Sequence, residues 1–231
     1  HDLFLRYRPY FSNMEDIVEI IDGGTNPTGI YKWIKNYAAK NGRIEKISEF
    51  NQIYIPNDEN LITIILVDHQ SLIRKESGLS TKKEAIDKLS EYLQYARDFY
   101  GFSPVLVAQM NRDIANPAYQ KMDTFEPTPE QIKDSGTSFE DSDICMSLFD
   151  PVKFKTSAPT KHDANKLIDM QTGAKYYRSL KIHKNSWGED DIRKGMAFHG
   201  AIGHFTELPK FDQMTQSDYD SILNGSYFLT K

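Results

Sequence analysis

The fold of this chain is indicated by the stretch LITIILVD, residues 61–68, a short β-branched apolar run that ends on an acid. Its length and continuous apolar character predict a strand that is buried on both faces, as in a parallel sheet. A run of the same kind, PVLVAQ, occupies residues 104–109. Between the two runs, Thr81 and Glu84 form a capping-box pattern that opens an amphipathic helix, and Gly101 ends it. The sequence therefore predicts a βαβ unit in which a crossover helix joins two parallel strands.

Weaker patterns predict further elements on both sides of this unit. Asn13 is positioned to cap a short helix that runs through Ile21. Apolar residues at helical spacing predict a second helix over residues 30–38, and a short strand or hairpin is expected within residues 43–59. Short strands are expected downstream at residues 144–149, 177–183, 192–199 and 204–206.

Three long segments show little periodicity. Residues 111–143 are interpreted as a long functional loop, residues 150–173 as a polar mobile segment, and residues 209–231 as a weakly patterned tail. The sequence thus predicts an α/β fold whose mainly parallel sheet is flanked by helices and continues into a C-terminal antiparallel β extension. The predicted divisions of the chain are residues 1–60, 61–209 and 210–231.

Net charge, cysteine content and the length of the apolar runs limit what kind of protein this can be. The chain has 28 basic and 33 acidic residues and a net charge of −5, so any nucleic-acid contact has to come from local loops. The single cysteine, Cys145, cannot form an internal disulfide, which is typical of a reducing compartment. The apolar run at residues 61–67 is far shorter than the about 20 residues that a membrane helix needs. We therefore expect a cytoplasmic protein without a membrane segment.

Two polar residues lie at the ends of the two predicted parallel strands. Open α/β sheets bind ligands at the carboxyl ends of their strands, and an Asp there can hold the Mg²⁺ that bridges nucleotide phosphates. Asp68 has this position, and Gln109 follows the neighbouring strand, where an amide can contact a γ-phosphate. Each residue alone is also explained as a polar strand cap or a turn residue.

Five motifs in order make the pattern recognisable. They are IILVDH at residues 64–69, VAQMNR at 107–112, KDSGTSFEDSD at 133–143, KNSWG at 184–188 and MAFHG at 196–200. Over about residues 61–209 they resemble the ATPase domain of DnaB-type replicative helicases, in the versions carried by bacteriophages. Each motif alone is weak, whereas the order and strand context of the set are specific.

The resemblance implies a RecA-like P-loop NTPase core that uses ATP and Mg²⁺. Asp68 would hold Mg²⁺ through water, and Gln109 would sense the γ-phosphate. Lys184 would reach the γ-phosphate bound by the neighbouring subunit, with Ser186 at the position of the arginine finger.

The resemblance also implies a DNA-binding side. Lys133, Asp134 and Gly136 would belong to a loop that lines the channel of a homo-hexamer around single-stranded DNA, and Arg112 would couple this side to Gln109. A basic side chain and a close backbone approach suit contacts with phosphate, although a Ser-Gly turn explains the same residues. A primase and a helicase loader are further implied partners, and the bacterial host cytoplasm is the implied location.

Two features depart from the family pattern. No Gly-x-x-x-x-Gly-Lys-Ser/Thr phosphate-binding loop occurs in the sequence, and we expect it to have preceded His1 in a longer chain. Ser186 cannot supply the cation of an arginine finger, which places efficient hydrolysis in doubt. A shifted register would bring Arg193 or Lys194 to that position instead.

Other functions stay open on the sequence alone. A RecA-type recombination ATPase shares the acid-ended strand and the γ-phosphate glutamine, and a DNA-binding ring subunit that has lost hydrolysis would explain both departures. A metal site at His183, His199 and His204 is disfavoured because no acid or thiol stands at ligand spacing. Cys145 is interpreted as an inert thiol in a strand, and residues 176–181 as an edge strand and not a nucleic-acid-binding surface.

Overall fold

The computed structural model describes residues 17–22, 25–110, 125–132 and 136–229. Within these ranges the α-helices are α1 (Pro27–Asn41), α2 (Lys82–Tyr100), α3 (Thr137–Asp141), α4 (Pro151–Phe154) and α5 (Gln216–Leu223). The strands are β1 (Gly42–Lys46), β2 (Gln52–Pro56), β3 (Ile64–Val67), β4 (Ser103–Leu106), β5 (Ile144–Phe149), β6 (Tyr177–Asn185), β7 (Ile192–His199) and β8 (His204–Glu207).

The predicted βαβ unit is confirmed. Strands β3 and β4 are parallel neighbours, with Val67 opposite Leu106, and α2 connects them. The Thr81 hydroxyl accepts a hydrogen bond from the backbone N–H of Glu84 at 3.1 Å, which satisfies one of the free donors at the helix start. Gly101 ends α2 in the left-handed conformation, with a φ of 71°, which glycine adopts without steric cost.

One hydrophobic core lies between the helices and one face of the parallel pair. Ile34 of α1 and Leu89 of α2 are buried there, and Ile65 and Val67 of β3 pack against this cluster. The amphipathic stripe on α2 therefore faces the sheet, as its apolar spacing predicts. The hairpin β1–β2 extends from the end of α1, and Tyr54 of β2 donates a hydrogen bond to the Ala38 carbonyl at 3.0 Å.

The C-terminal β extension is also confirmed. Strands β5, β6, β7 and β8 form one antiparallel sheet in that order. A second core, which includes Leu167, Tyr177 and Ile222, lies between this sheet and the segments that include α5. Helix α5 lies in residues 209–231, the tail for which the sequence predicts no element. Thr215 and Asp218 form a capping box at its start.

Three expectations about individual elements differ from the structure. The prediction of a mainly parallel sheet is confirmed only for β3 and β4 within the described ranges, because β5 pairs antiparallel to β6. Residues 17–22 are not helical, so the helix predicted from Asn13 to Ile21 is wrong in its described part, and residues 13–16 lie outside the described ranges. The strand that contains residues 177–181 is not at an edge, since β6 lies between β5 and β7.

The parallel pair β3–β4 and the four-stranded antiparallel sheet each leave apolar side chains of one face exposed. Alternate apolar side chains of β3 and β5 are exposed, with 66% of Ile64, 64% of Leu66 and 61% of Met146 accessible to solvent. Val105 of β4 and Leu148 of β5 are exposed as well. Exposed apolar surfaces of this extent usually mark a contact with other polypeptide. The opposite face of β3 is covered by α1 and α2.

No helix in the described ranges has both the length and the apolar character that crossing a membrane requires.

Candidate nucleotide and DNA site

The carboxyl ends of β3 and β4 bring Asp68 and Gln109 to the same sheet edge. The two strands stay hydrogen-bonded to their ends, because the Val107 N–H donates to the Val67 carbonyl at 3.0 Å. Asp68 follows β3 directly, Gln109 lies three residues after Leu106 at the end of β4, and both residues are exposed. This edge therefore presents a carboxylate and an amide to solvent at the place where open α/β sheets bind ligands.

A histidine that sequence analysis did not single out follows Asp68 and contacts Gln109. The Gln109 Nε2 atom is 3.2 Å from His69 Nε2, and the peptide bond between Asp68 and His69 is cis. An amide nitrogen is only a donor, so in this contact it donates to the ring nitrogen. The contact holds the Gln109 side chain beside the backbone that carries Asp68. A histidine next to the strand-ending acid is the only sequence signal for this contact.

Gln70 links the same edge to helix α3. This side chain is fully buried, and its backbone N–H donates to the Val107 carbonyl at 2.9 Å. Its Oε1 atom accepts a hydrogen bond from the Ser138 hydroxyl at 3.4 Å. Ser138 is the second residue of α3, and Gly136 directly precedes that helix. The end of the predicted DNA-binding segment therefore lies close to the predicted nucleotide edge.

Lys184 contacts its own chain. Its Nζ atom donates to the carbonyls of Phe139 and Glu140 at 3.3 and 2.7 Å, and it lies 5.7 Å from the centre of the Phe139 ring. A cation at the C-terminal end of a helix satisfies carbonyls that lack intrahelical partners. The ammonium group that the resemblance assigns to a neighbouring nucleotide thus caps α3 in this structure.

Ser186 and the two cations considered in its place, Arg193 and Lys194, all form hydrogen bonds or ion pairs within the chain. Ser186 is exposed in the turn after β6, and its N–H donates to the Asp143 carbonyl at 2.9 Å. Arg193 forms ion pairs with Glu126 at 2.8 Å and with Asp191 at 3.1 Å. Lys194 pairs with Glu207 at 2.6 Å. A shift in register toward Arg193 or Lys194 would therefore select a residue that is already engaged on the antiparallel sheet.

A second cation that sequence analysis missed holds the end of α3. Arg97 of α2 donates from Nη1 to the Asp141 carbonyl and to Asp143 Oδ2, both at 3.0 Å. Ser90 of α2 donates to Asp141 Oδ2 at 2.6 Å. A cation in the last turn of a helix is a common helix-end signal. The sequence does not indicate, however, which distant residues Arg97 contacts.

The predicted DNA-binding residues are described only in part. Arg112, Lys133 and Asp134 lie outside the described residues, and their roles stay predictions. Gly136 is exposed and is the N-cap residue of α3, where its carbonyl accepts hydrogen bonds from Phe139 and Glu140.

The cysteine and the histidines that were considered for chemistry lie on the antiparallel sheet. Within the described ranges, no group of three or more His, Cys, Asp or Glu residues could hold a metal ion. Cys145 lies on β5 opposite Lys184, and burial raises the pKa of its thiol. His183 contacts the Ser147 hydroxyl at 2.8 Å, and burial together with the nearby Lys181 lowers its pKa. A neutral imidazole and a protonated thiol are expected here at neutral pH.

Comparison with known proteins shows the fold. The chain is similar to a DnaB-like replicative helicase, a structure described with that protein's interactions with primase, at a TM-score of 0.57 and 15% identity over 82% of this chain and 37% of the other. It is also similar to a second solved structure, that of an ATPase domain, at a TM-score of 0.55 and 16% identity over 80% of this chain and 52% of the other. No protein-family model and no curated protein matches the sequence. The chain thus has the fold of a helicase ATPase domain and spans about half or less of these two chains.

Proposed function

We propose that this chain is part of the ATP-driven motor domain of a DnaB-type replicative helicase of the bacteriophage kind, which moves along single-stranded DNA. The observation that carries the proposal is the placement of Asp68 and Gln109 beyond the carboxyl ends of two neighbouring parallel strands. In a fold shared with helicase ATPase domains, this edge is suited to a nucleotide.

The nucleotide side of the proposal assigns ATP and Mg²⁺ to this edge. The exposed carboxylate of Asp68 would hold Mg²⁺ through water, because hard oxygen ligands and retained waters suit this ion. Gln109 would contact the γ-phosphate, and the His69 contact would orient its amide for this purpose. Lys184 would meet the terminal phosphate of a nucleotide held by the neighbouring subunit.

The DNA side of the proposal assigns phosphate contacts to the segment before α3. Lys133, Asp134 and Gly136 would face the strand, and Arg112 would connect them with Gln109. Phosphate contacts position the protein without reading bases, so binding should be insensitive to sequence and weakened by salt. The assembly proposed is a homo-hexameric ring with a primase and a loader as partners, and a primase interaction is described for one of the similar structures.

The proposal assigns the phosphate-binding loop to polypeptide outside these 231 residues. No Gly-x-x-x-x-Gly-Lys-Ser/Thr sequence occurs here, and the match covers only 52% of the similar ATPase domain. The bare apolar face of β3 supports the assignment, because sheets with parallel strands are normally covered on both faces.

The test uses the full-length polypeptide purified as the assembly that it forms. ATP turnover with and without single-stranded DNA is measured for the unmodified protein and for Asp68→Asn, with Asp212→Asn as the control, since Asp212 is also an exposed acid. We expect Asp68→Asn to abolish DNA-stimulated turnover and Asp212→Asn to leave it unchanged. Equal turnover in all three proteins would refute the assignment of the nucleotide edge.

A ring subunit that binds DNA without efficient hydrolysis is the second candidate. Ser186 stands at the finger position, and both nearby cations that would replace it, Arg193 and Lys194, form ion pairs within the chain. Arginine fingers contribute about 10³- to 10⁵-fold in rate in other phosphoryl-transfer enzymes. Turnover by the full-length protein that rises on Ser186→Arg, with DNA affinity unchanged, would favour this candidate.

A further inference from the structure

The hairpin β1–β2 carries an exposed apolar tip. Its turn contains Phe50 and is closed by the Ile47 N–H, which donates to the Asn51 carbonyl at 2.9 Å. Phe50 is 95% exposed and Ile47 is 57% exposed, and the adjoining strands add Ile44 and Ile53 at 52% and 41%. A two-stranded hairpin is at best marginally stable by itself, and an apolar patch of this kind marks a contact with other polypeptide.

A hollow that has room for a phenyl ring lies at the base of the same hairpin. It has a volume of about 400 Å³, and its walls include Tyr54, Leu61, Phe99 and Tyr100. The rings of Tyr54 and Tyr100 meet edge to face with their centres 5.1 Å apart, a geometry that a further aromatic ring can extend. Aromatic side chains seated in hollows of this kind are the usual anchors of protein interfaces. The hollow lies at the amino ends of β3 and β4, opposite to the nucleotide edge.

Phe50 cannot fill the hollow of its own chain. The hollow adjoins Pro56, which pairs with Gly42 at the base of the hairpin, whereas Phe50 lies beyond the last pair, Lys46 and Gln52. Four strand steps of about 3.4 Å separate the base from the tip, which amounts to roughly 14 Å. A ring that enters the hollow therefore comes from another molecule, and a second copy of this chain presents one.

The charges favour a second copy over a nucleic acid. Residues 42–56 contain two basic and two acidic residues, so the hairpin has no net positive charge for phosphates. Among the described residues, neither Lys46, directly before the tip, nor Glu59, in the wall of the hollow, forms an ion pair, and both are exposed. Phe50 seated in the hollow of another copy brings Lys46 toward Glu59, while Glu49, the acid of the tip, stays in solvent.

We propose that the tip of the hairpin β1–β2 is an interaction surface for a second copy of this chain, and that Phe50 of one copy occupies the hollow beside Tyr54 of the next. The contact joins two different surface patches, so it is head-to-tail and can repeat around a closed ring. It rests on the proposed function only for that ring, because neither Asp68 nor Gln109 takes part in it.

The first test measures self-association of the full-length protein by analytical ultracentrifugation without nucleotide. Phe50→Ser removes the ring, and Met170→Ser is the matched control because Met170 is 90% exposed and lies outside the hairpin. We expect Phe50→Ser to weaken association by about 30-fold or more, the effect of losing an aromatic anchor, and Met170→Ser to leave it unchanged. Both side chains are exposed, so circular dichroism should show both variants folded.

Two results of this test would overturn the proposal. One is self-association that is absent from the unmodified protein or unchanged in Phe50→Ser. The other is a loss of affinity for single-stranded DNA in Phe50→Ser while association stays the same, which would identify a nucleic acid as the occupant of this surface.

The second test identifies both ends of the contact. Phe50→Cys and Leu61→Cys are purified separately, mixed, allowed to exchange subunits and treated with a short thiol-reactive cross-linker. We expect covalent dimers in the mixture, and only background levels in either variant alone or when Met170→Cys replaces Phe50→Cys. Equal cross-linking in the mixture and in the Met170→Cys control would overturn the placement of Phe50.

The third test uses the charges. Lys46→Glu should weaken association by up to about 5-fold, the range of an exposed ion pair, and Glu59→Lys in the same chain should restore it. Glu49→Gln is the control and should have no effect, because Glu49 stays in solvent. A double variant that associates no better than Lys46→Glu would overturn this seating of the tip.

The outcomes separate this contact from the nucleotide assignment. Association that depends on Phe50 in a full-length protein without ATP turnover would support the contact and refute the proposed function alone. Turnover that depends on Asp68 in a protein whose association is unaffected by Phe50→Ser would support the proposed function and overturn the contact.

Discussion

Replacing Gly195 by alanine should destabilise the protein, although alanine is usually the more stable residue in a strand. Gly195 is buried on β7, and a Cβ atom there would lie 2.6 Å from Cε1, 2.8 Å from Nδ1 and 3.1 Å from Nε2 of His162. Carbon atoms in favourable contact are about 3.5–4.0 Å apart, so the ring would have to withdraw by roughly 1 Å.

The ring of His162 cannot withdraw without losing hydrogen bonds. Its Nε2 atom donates to the Pro209 carbonyl at 2.8 Å, which places the ring proton on Nε2, and Nδ1 accepts from the Thr160 hydroxyl at 2.8 Å. His162 is only 7% exposed, so neighbouring atoms surround it. Overpacking costs about 1–3 kcal/mol and each lost hydrogen bond about 1 kcal/mol, so we expect a loss of about 2–4 kcal/mol.

Urea unfolding and thermal melting measure this loss. For a chain of this size, about 1 kcal/mol corresponds to about 2–4 °C, so the melting temperature should fall by roughly 5–15 °C. Gly200→Ala is the control, because its nearest neighbour is a ring carbon of Phe198 at 3.3 Å, and its effect should stay within about 0.5 kcal/mol. In a His162→Ala background the penalty of Gly195→Ala should largely disappear. A penalty of the same size in both backgrounds would refute the clash as its cause.

Three further predictions concern stability and titration. Leu89→Ala should cost about 2–5 kcal/mol in urea unfolding, because Leu89 is fully buried, whereas Leu66→Ala on the bare face should cost less than about 1 kcal/mol; equal losses would contradict the described burial. The pKa of His183 is lowered by burial, so its imidazole should be neutral at pH 7 in an NMR titration, and its contribution to stability should be complete above the unfolded pKa of about 6.5 and fall as pH drops below it. The hydrogen bond from Lys88 lowers the pKa of Glu76, so this contribution is complete above about pH 4.3 and is lost as pH falls through the lower folded pKa; Lys88→Met should raise that pKa and move acid unfolding to higher pH, and an unchanged acid transition would count against the pair.

The sequence predicts the elements whose signal is local. The run at residues 61–68 identifies β3, and the capping residue Thr81 and the glycine at 101 mark the ends of α2. Strands β6, β7 and β8 are also found near their observed bounds. In each of these segments, periodicity and end signals agree with the final packing, so local preference and tertiary structure select the same conformation.

The parts that the sequence does not predict depend on partners far along the chain. The apolar alternation of β5 shows that it is a strand but not that its hydrogen-bonded neighbour is β6. The apolar residues at 17–21 have helical spacing, yet they form no helix and stay exposed, because no partner surface in the described ranges covers them. Helix α5 did carry a signal, since Thr215 and Asp218 stand at capping-box spacing.

The candidate site is likewise predicted from the sequence only in part. Asp68 and Gln109 follow from strand ends, which a sequence reveals. Gln70 and Ser138 are 68 positions apart, and Arg97 and Asp143 are 46 positions apart. Neither contact follows from helical or strand periodicity, so the sequence does not predict it.

The cap on α3 has a consequence for how related sequences would vary. Lys184 and Arg97 bind main-chain carbonyls of residues 139, 140 and 141. A carbonyl is present whatever side chain the residue carries, so substitutions at Phe139 or Glu140 place no demand on Lys184 to change with them. Methods that infer contacts from covariation between positions would therefore not detect this cap. In related chains that keep it, position 184 would stay lysine while the side chains of α3 vary.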